Sequence, residues 1–176
     1  MYKFIIISFF YIFCSCKSTQ PIKNTLSYDE VNNLTTIKGF KELDSLTLLG
    51  KWSKTENSIG SNEIIYKNNE NLVTINFLKK SNYSKFKNAS DIDFLKNEIS
   101  HVTYICDYFK FKYTLLETDN ISYETLKYLD NKNNQETVHL IGIKNSTIIH
   151  LTIINPKKNL DEKLKYLKDL FNYIKI

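Results

Sequence analysis

The side chains best suited to chemistry in this chain are two histidines on neighbouring predicted strands. His139 and His150 lie in two apolar runs, and Lys144-Asn145 between them has the composition of a two-residue hairpin loop. That loop pairs Ile143 with Ser146, so it places His139 directly opposite His150, with Cβ atoms about 4.5–5.5 Å apart. Two imidazoles at this distance can share a metal ion or respond to protons as a pair.

The sequence offers no evident third metal ligand beside this pair. Thr137 and Thr152 share the same predicted strand face, so a partly exposed cross-strand pair is the favoured interpretation. We therefore predict no bound metal and no cofactor, with His139 and His150 as the only candidate ligands. A longer loop would shift the register and separate the two rings.

The cysteines and the known catalytic motifs point away from an enzyme. Cys106 lies in a predicted helix, and no histidine with an adjacent acid lies near it in sequence, which is typical of a small buried apolar group. The chain has no phosphate loop, zinc-spaced cysteine pair, nucleophile elbow or His-Glu-x-x-His pattern. We predict a protein without a catalytic site.

The first eighteen residues carry the strongest signal in the chain. Lys3 precedes the apolar run Phe4–Phe13, and Cys14-Ser15-Cys16 follows, which predicts a secretion signal over residues 1–15. The run is shorter than the roughly 20 residues that a membrane-spanning helix needs. This segment resembles a bacterial lipoprotein signal, in which Cys16 is the lipidated first residue of the mature chain. An ordinary cleaved signal peptide and a short retained anchor are the alternatives.

The residues after Cys16 refine the expected location. Lys17–Pro21 resembles the lipid-proximal tether of Bacteroidota lipoproteins, without the acidic residues that mark surface export in that group. The resemblance implies an outer-membrane lipoprotein that faces the periplasm. Its partners would be the membrane, through lipid on Cys16, and an unidentified envelope protein or glycan.

Composition predicts a folded domain that does not bind nucleic acid. Hydrophobic residues make up 42% of the 176 residues and aromatic residues 14%, which is enough for a real core. The formal charge is +5, but all 24 basic residues are lysine. Nucleic-acid sites rely on arginine for bidentate contacts, so the lysine excess reflects an AT-rich codon usage.

The chain divides into a polar N-terminal part and one domain. Residues 16–45 are polar and lack a sustained period, which predicts a tether and a loosely packed lead-in, with a possible short helix at Tyr28–Leu34. The domain is predicted at residues 46–176. Its first elements are three strands, and it contains two amphipathic helices, at Asp91–Cys106 and after the capping residue Asn159.

The order of elements predicts an α+β domain. Four strands follow the first helix, so the order is βββαββββα, with an antiparallel sheet of about six to seven strands and two helices packed on one face. This order resembles the PsbP-like α+β sandwich, a family that includes non-catalytic binding and assembly proteins. The alternative is a lipocalin-like carrier of small hydrophobic ligands, because Gly50-Lys51-Trp52 is similar to the lipocalin signature. The simpler explanation for Trp52 is a core or rim aromatic.

Aromatic residues offer a possible binding face. Tyrosine and phenylalanine number 12 and 11, and rings with polar neighbours can bind a carbohydrate or a peptide. Tyrosines cluster in sequence at two places: Tyr104, Tyr108 and Tyr113, and Tyr123 and Tyr128. Core packing is the simpler explanation for most of them.

Overall fold

The computed structural model describes residues 25–40, 43–55, 65–69, 71–116, 122–130, 135–155 and 157–176. These residues form ten strands and two α-helices: β1 (Thr25–Asp29), β2 (Leu34–Lys38), β3 (Ser45–Leu49), β4 (Ser53–Lys54), β5 (Ile65–Asn68), β6 (Asn71–Lys79), α1 (Asp91–Tyr108), β7 (Lys112–Leu116), β8 (Tyr123–Asp130), β9 (Gln135–Lys144), β10 (Thr147–Ile154) and α2 (Leu160–Tyr173). The fold class is α+β, as predicted. The predicted signal peptide and Cys16 lie outside the described residues.

A seven-stranded antiparallel sheet forms the centre of the domain. Its strand order is β4-β5-β6-β10-β9-β8-β7, so β4 and β7 are its edges. The inner strands are rich in β-branched residues and leucine, which suits burial on both faces. The sheet is open and α1 comes between β6 and β7, unlike the eight consecutive strands of the alternative carrier barrel.

The two helices cover opposite faces of this sheet, and the prediction of both on one face is wrong. Val138 and Leu140 of β9 pack in the core that contains residues of α2. Ile141 and Ile143 of the same strand pack with residues of α1. Residues whose numbers differ by one point to opposite sides of a strand. Because β9 is apolar on both faces, it buries both only if a helix lies on each side.

The strands β1, β2 and β3 form a smaller sheet, in the order β1-β2-β3. This sheet lies on the same side of the large sheet as α2. Ile37, Leu46 and Leu48 are fully buried in the core beneath α2. The prediction of a loosely packed lead-in is therefore wrong for residues 25–38, which form β1 and β2 instead of a tether or a helix. Strand β2 is short and threonine-rich and alternates half-buried and buried positions, whereas β1 alternates exposed and half-buried ones. Neither pattern is strong in the sequence, so packing against the core beneath α2 decides their structure.

Local signals at the helix ends behave as predicted. The Ser90 hydroxyl accepts a hydrogen bond from the Asp93 amide at 3.1 Å and begins α1. Asn159 and Glu162 form a reciprocal capping box at the start of α2, with both hydrogen bonds at 2.9 Å.

Trp52 is a buried core residue whose indole nitrogen donates to the Leu49 carbonyl at 2.9 Å. Neither α1 nor α2 is both long and apolar enough to cross a membrane.

Candidate functional site

A polar cluster lies beneath α1 and contains every histidine of the chain. We call it the histidine cluster and define it as His139 on β9, His150 on β10, and Glu98 and His101 on α1. Buried apolar side chains surround it, among them Leu126, Ile141, Ile148 and Val102. The cluster therefore lies within the core between α1 and the sheet.

The two strand histidines touch, but through a different register from the predicted one. The loop is Asn145-Ser146, and both residues have positive φ, of 46° and 57°, as a two-residue type I′ turn requires. His139 is therefore opposite Thr152, and His150 is opposite Ile141. The direct pairing of His139 with His150 is wrong because Lys144 stays in the strand.

The diagonal placement still brings the two imidazoles into contact. His139 Nε2 lies 3.1 Å from His150 Nδ1, and the ring centroids are 5.2 Å apart. The predicted partial exposure is wrong, because only 3% of His139 and 2% of His150 is exposed. The cause is α1, which lies on this face of the sheet and covers both rings.

Glu98 extends this contact to a third side chain. Its Oε1 atom lies 3.4 Å from His150 Nε2, and its side chain is 13% exposed. Burial raises the pKa of Glu98 to about 7, and the positive charge of Lys85 opposes that rise. Sequence reasoning missed Glu98 and His101. Glu98 follows Leu95 by three positions and precedes Val102 by four, so its place on the apolar stripe of α1 was the available signal.

Burial keeps the histidines neutral. It lowers the pKa of His139 to about 4. It also lowers the pKa of His150 well below the usual value, with further contributions from His139 and His101. His101 has a lowered pKa for the same main reason, burial, and because Lys85 is nearby. At neutral pH the contacts are therefore those between uncharged rings and a carboxyl group that is partly protonated.

The two imidazoles share one hydrogen bond, and Glu98 lies beyond it at an ion-pair distance from His150. Only one proton fits between His139 Nε2 and His150 Nδ1, so one nitrogen donates and the other accepts. A protonated Glu98 faces the remaining nitrogen of His150. Within the described residues, no group of three or more His, Cys, Asp or Glu side chains is arranged to hold a metal ion. The chemistry that this cluster supports is proton binding.

Cys106 is buried in α1, with 2% of its surface exposed. Burial raises the pKa of its thiol to about 11, and the charge of Asp107 adds to the rise. The thiolate is the reactive form of cysteine. Cys106 is therefore an apolar packing group at neutral pH, in line with its position on the inner stripe of the helix.

A second feature lies on the outside of the same helix. We call it the aromatic surface and define it as Tyr104, Tyr108 and Phe109, which are 64%, 68% and 45% exposed. Tyr104 and Tyr108 are four residues apart and share one side of α1. The Tyr108 and Phe109 rings meet edge to face, with centroids 5.0 Å apart. The surface continues through Phe111 to Tyr128 of β8.

The end of α1 sets the position of this surface. The Phe111 amide donates to the Cys106 carbonyl at 2.9 Å, and the Lys110 amide donates to the Asp107 carbonyl at 3.0 Å. This is a Schellman motif, with Lys110 at its left-handed position with φ of 58°. The motif turns the chain from α1 directly into the edge strand β7.

The tyrosines that cluster in sequence separate in the structure. Tyr104 and Tyr108 are exposed, whereas Tyr113 packs partly buried against the core beneath α1. Tyr123 is buried on the opposite face and meets Phe171 of α2 edge to face, with centroids 5.5 Å apart. Each sequence cluster is therefore divided between the core and the surface, and Tyr104 and Tyr108 are the most exposed members.

Comparison with known proteins gives a weak resemblance in fold. No family model matches this chain, and no curated protein matches it in sequence. The chain is similar to the solution structure of a cyanobacterial PsbP, CyanoP, from Synechocystis sp. PCC 6803. The TM-score is 0.41 and the identity is 9%, over 93% of this chain and 98% of the other. This likeness concerns the arrangement of elements alone.

Proposed function

We propose that this chain is a lipid-anchored, non-catalytic binding module of the bacterial cell envelope. Lipid on Cys16 holds it on the periplasmic side of the outer membrane, and the aromatic surface binds an envelope protein. The observation that carries the proposal is the grouping of Tyr104, Tyr108 and Phe109, large aromatic side chains that each expose 45% or more of their surface. Contiguous exposed apolar residues are typical of interaction sites.

The surroundings of the aromatic surface favour a protein as the partner. Its rings offer flat apolar area, and the tyrosine hydroxyls add polar contacts at the rim. The adjoining β7 is the last strand of its sheet in the described part of the chain. An edge strand can accept a further strand from another protein. The exposed Lys112 at the start of β7 adds positive charge beside this edge.

The anchor is supported by the signal-like segment that ends at Cys16. The test is the intact mass of the protein purified from its native membrane. We expect a mature chain that begins at Cys16 and carries acyl groups, and we expect Cys16→Ser to abolish that mass and release the chain from the membrane. A native chain without lipid would refute the anchor.

The binding function has its own test, which is site-specific photocrosslinking in cells. A photoreactive phenylalanine at Tyr108 should give a discrete crosslinked protein. The matched control is the same substitution at Tyr173, which is 57% exposed on α2 and lies outside the aromatic surface. Identical products at both sites, or no protein adduct at Tyr108, would refute the proposed surface.

A further inference from the structure

The histidine cluster lies between α1 and the sheet. We call the arrangement in which α1 packs on the sheet the closed state, and the arrangement in which it separates the opened state. His139 and His150 point up from the sheet, and Glu98 and His101 come from the helix above them. Phe94 and Leu95 pack in the same layer and hold the helix on the sheet. Any charge that develops in the cluster therefore acts between the helix and the sheet.

The charged and titratable groups around the cluster can be assigned element by element. The helix contributes Glu98, His101 and the buried Cys106, and the turn before it contributes Lys85, whose charge acts on both Glu98 and His101. On the sheet, β9 and β10 contribute His139 and His150. The next acid on this face is Glu124 of β8, which is separated from His150 by Ile141. Asn76 of β6, beside His150, is uncharged.

The contact between the two rings tolerates one added proton and not two. With one extra proton, the charged ring still donates to its neutral neighbour across 3.1 Å. With two, both nitrogens carry hydrogen and point at each other, and two positive charges lie in an apolar core. Burial of such charges is strongly unfavourable. The second proton therefore opposes the closed arrangement.

We propose that the histidine cluster is an acid-sensitive latch, which holds α1 on the sheet while its histidines are neutral and releases the middle turns of α1 when they gain protons. The ends of the helix are tied more firmly. Asp91 at the start accepts from Lys80 at 2.6 Å and from Ser146 at 3.0 Å, and the Schellman motif fixes the other end. The inference does not depend on the proposed partner.

The pKa shifts in the cluster agree with the release of α1 at acid pH. The lowered pKa values of the three histidines mean that the opened state binds more protons than the closed state below about pH 6.5. The raised pKa of Glu98 acts in the opposite sense between about pH 7 and 4.5, since the closed state then holds the extra proton. On opening, three histidines gain affinity for protons and one carboxyl group loses it, so the protein takes up protons overall.

Hydrogen exchange on the full chain in detergent tests the latch. Between pH 7 and 5, the protection of the α1 amides, corrected for the intrinsic exchange rate, should fall at least tenfold more than that of α2. The double variant His139→Leu/His150→Leu should lose this difference. As a control, Asn159→Ala weakens the cap of α2 and should leave the pH response of α1 unchanged. Equal loss of protection in both helices, or no loss in α1, would overturn the proposal.

A second measurement on the unaltered protein covers the case in which the double variant does not fold. The chain has three histidines, so nuclear magnetic resonance of the imidazoles gives three sets of signals. The latch requires that His139 and His150 are never both protonated while α1 stays protected. Titration of both rings near their ordinary pKa of about 6.5, with α1 still protected, would overturn it.

Discussion

Replacement of Glu98 by glutamine should stabilise the protein, and the gain should depend on pH. Glutamine has nearly the same shape as glutamate and stays neutral at every pH. Burial raises the pKa of Glu98 from 4.5 to about 7. At one pKa unit per 1.36 kcal/mol, the ionised carboxylate lowers the free energy of unfolding by about 3 kcal/mol relative to a neutral group.

The sign of this effect fixes the pH window. A group with a raised pKa in the folded state contributes its full stability below its unfolded pKa of about 4.5 and loses it as pH rises through about 7. Glu98→Gln should therefore match the wild type at pH 4.5 and exceed it by about 3 kcal/mol at pH 8. Urea unfolding at pH 4.5, 6 and 8 measures the difference.

The matched control is Glu30→Gln, because Glu30 is exposed in the turn between β1 and β2. It should change the free energy of unfolding by less than about 0.5 kcal/mol at each pH. A Glu98→Gln gain that is the same at pH 4.5 and pH 8 would show that burial of the charge is not its cause. A variant less stable than the wild type at pH 8 would refute the reasoning altogether.

Three further substitutions test other parts of the fold by chemical unfolding at pH 7. Lys110→Gly should raise the free energy of unfolding by about 0.5–1 kcal/mol, because glycine adopts the left-handed φ of 58° without strain; a loss of stability would contradict the assigned helix end. Gly142→Ala should lower it by about 1–3 kcal/mol, since the new methyl group would overlap the Phe171 ring, and Phe171→Leu in the same chain should recover part of that loss. Lys144→Met should lower it by about 1–2 kcal/mol, because the ammonium group donates to carbonyls at the end of α2, whereas the exposed Lys38→Met should have little effect.

The parts of the fold that were predicted correctly are determined by residues close to one another in the sequence. The helix starts at Ser90 and Asn159 are local hydrogen-bond patterns, and the apolar period of α1 repeats over four turns. The hairpin of β9 and β10 was recognised from two apolar runs and a short polar loop. Its register was not, because the turn type depends on which residues take positive φ.

The parts that were missed depend on contacts between distant segments. Strands β1 and β2 are short and polar, and their buried side belongs to a core completed by α2. The side of the sheet that each helix covers was also undetermined, since β9 and β10 are apolar on both faces. Glu98 was missed for a related reason: an acid on an apolar stripe looks like an interruption until the histidines beneath it are placed.

The early start of the fold limits how far the domain can travel. Strand β1 begins at Thr25, nine residues after the proposed anchor at Cys16. A fully extended chain spans at most about 3.3–3.6 Å per residue, so this connection reaches about 30 Å. A tether that ended at residue 45 would have reached about three times as far. With the proposed lipid on Cys16, the domain would stay close to the lipid surface, and a partner that meets its aromatic surface would itself have to lie at or near that membrane.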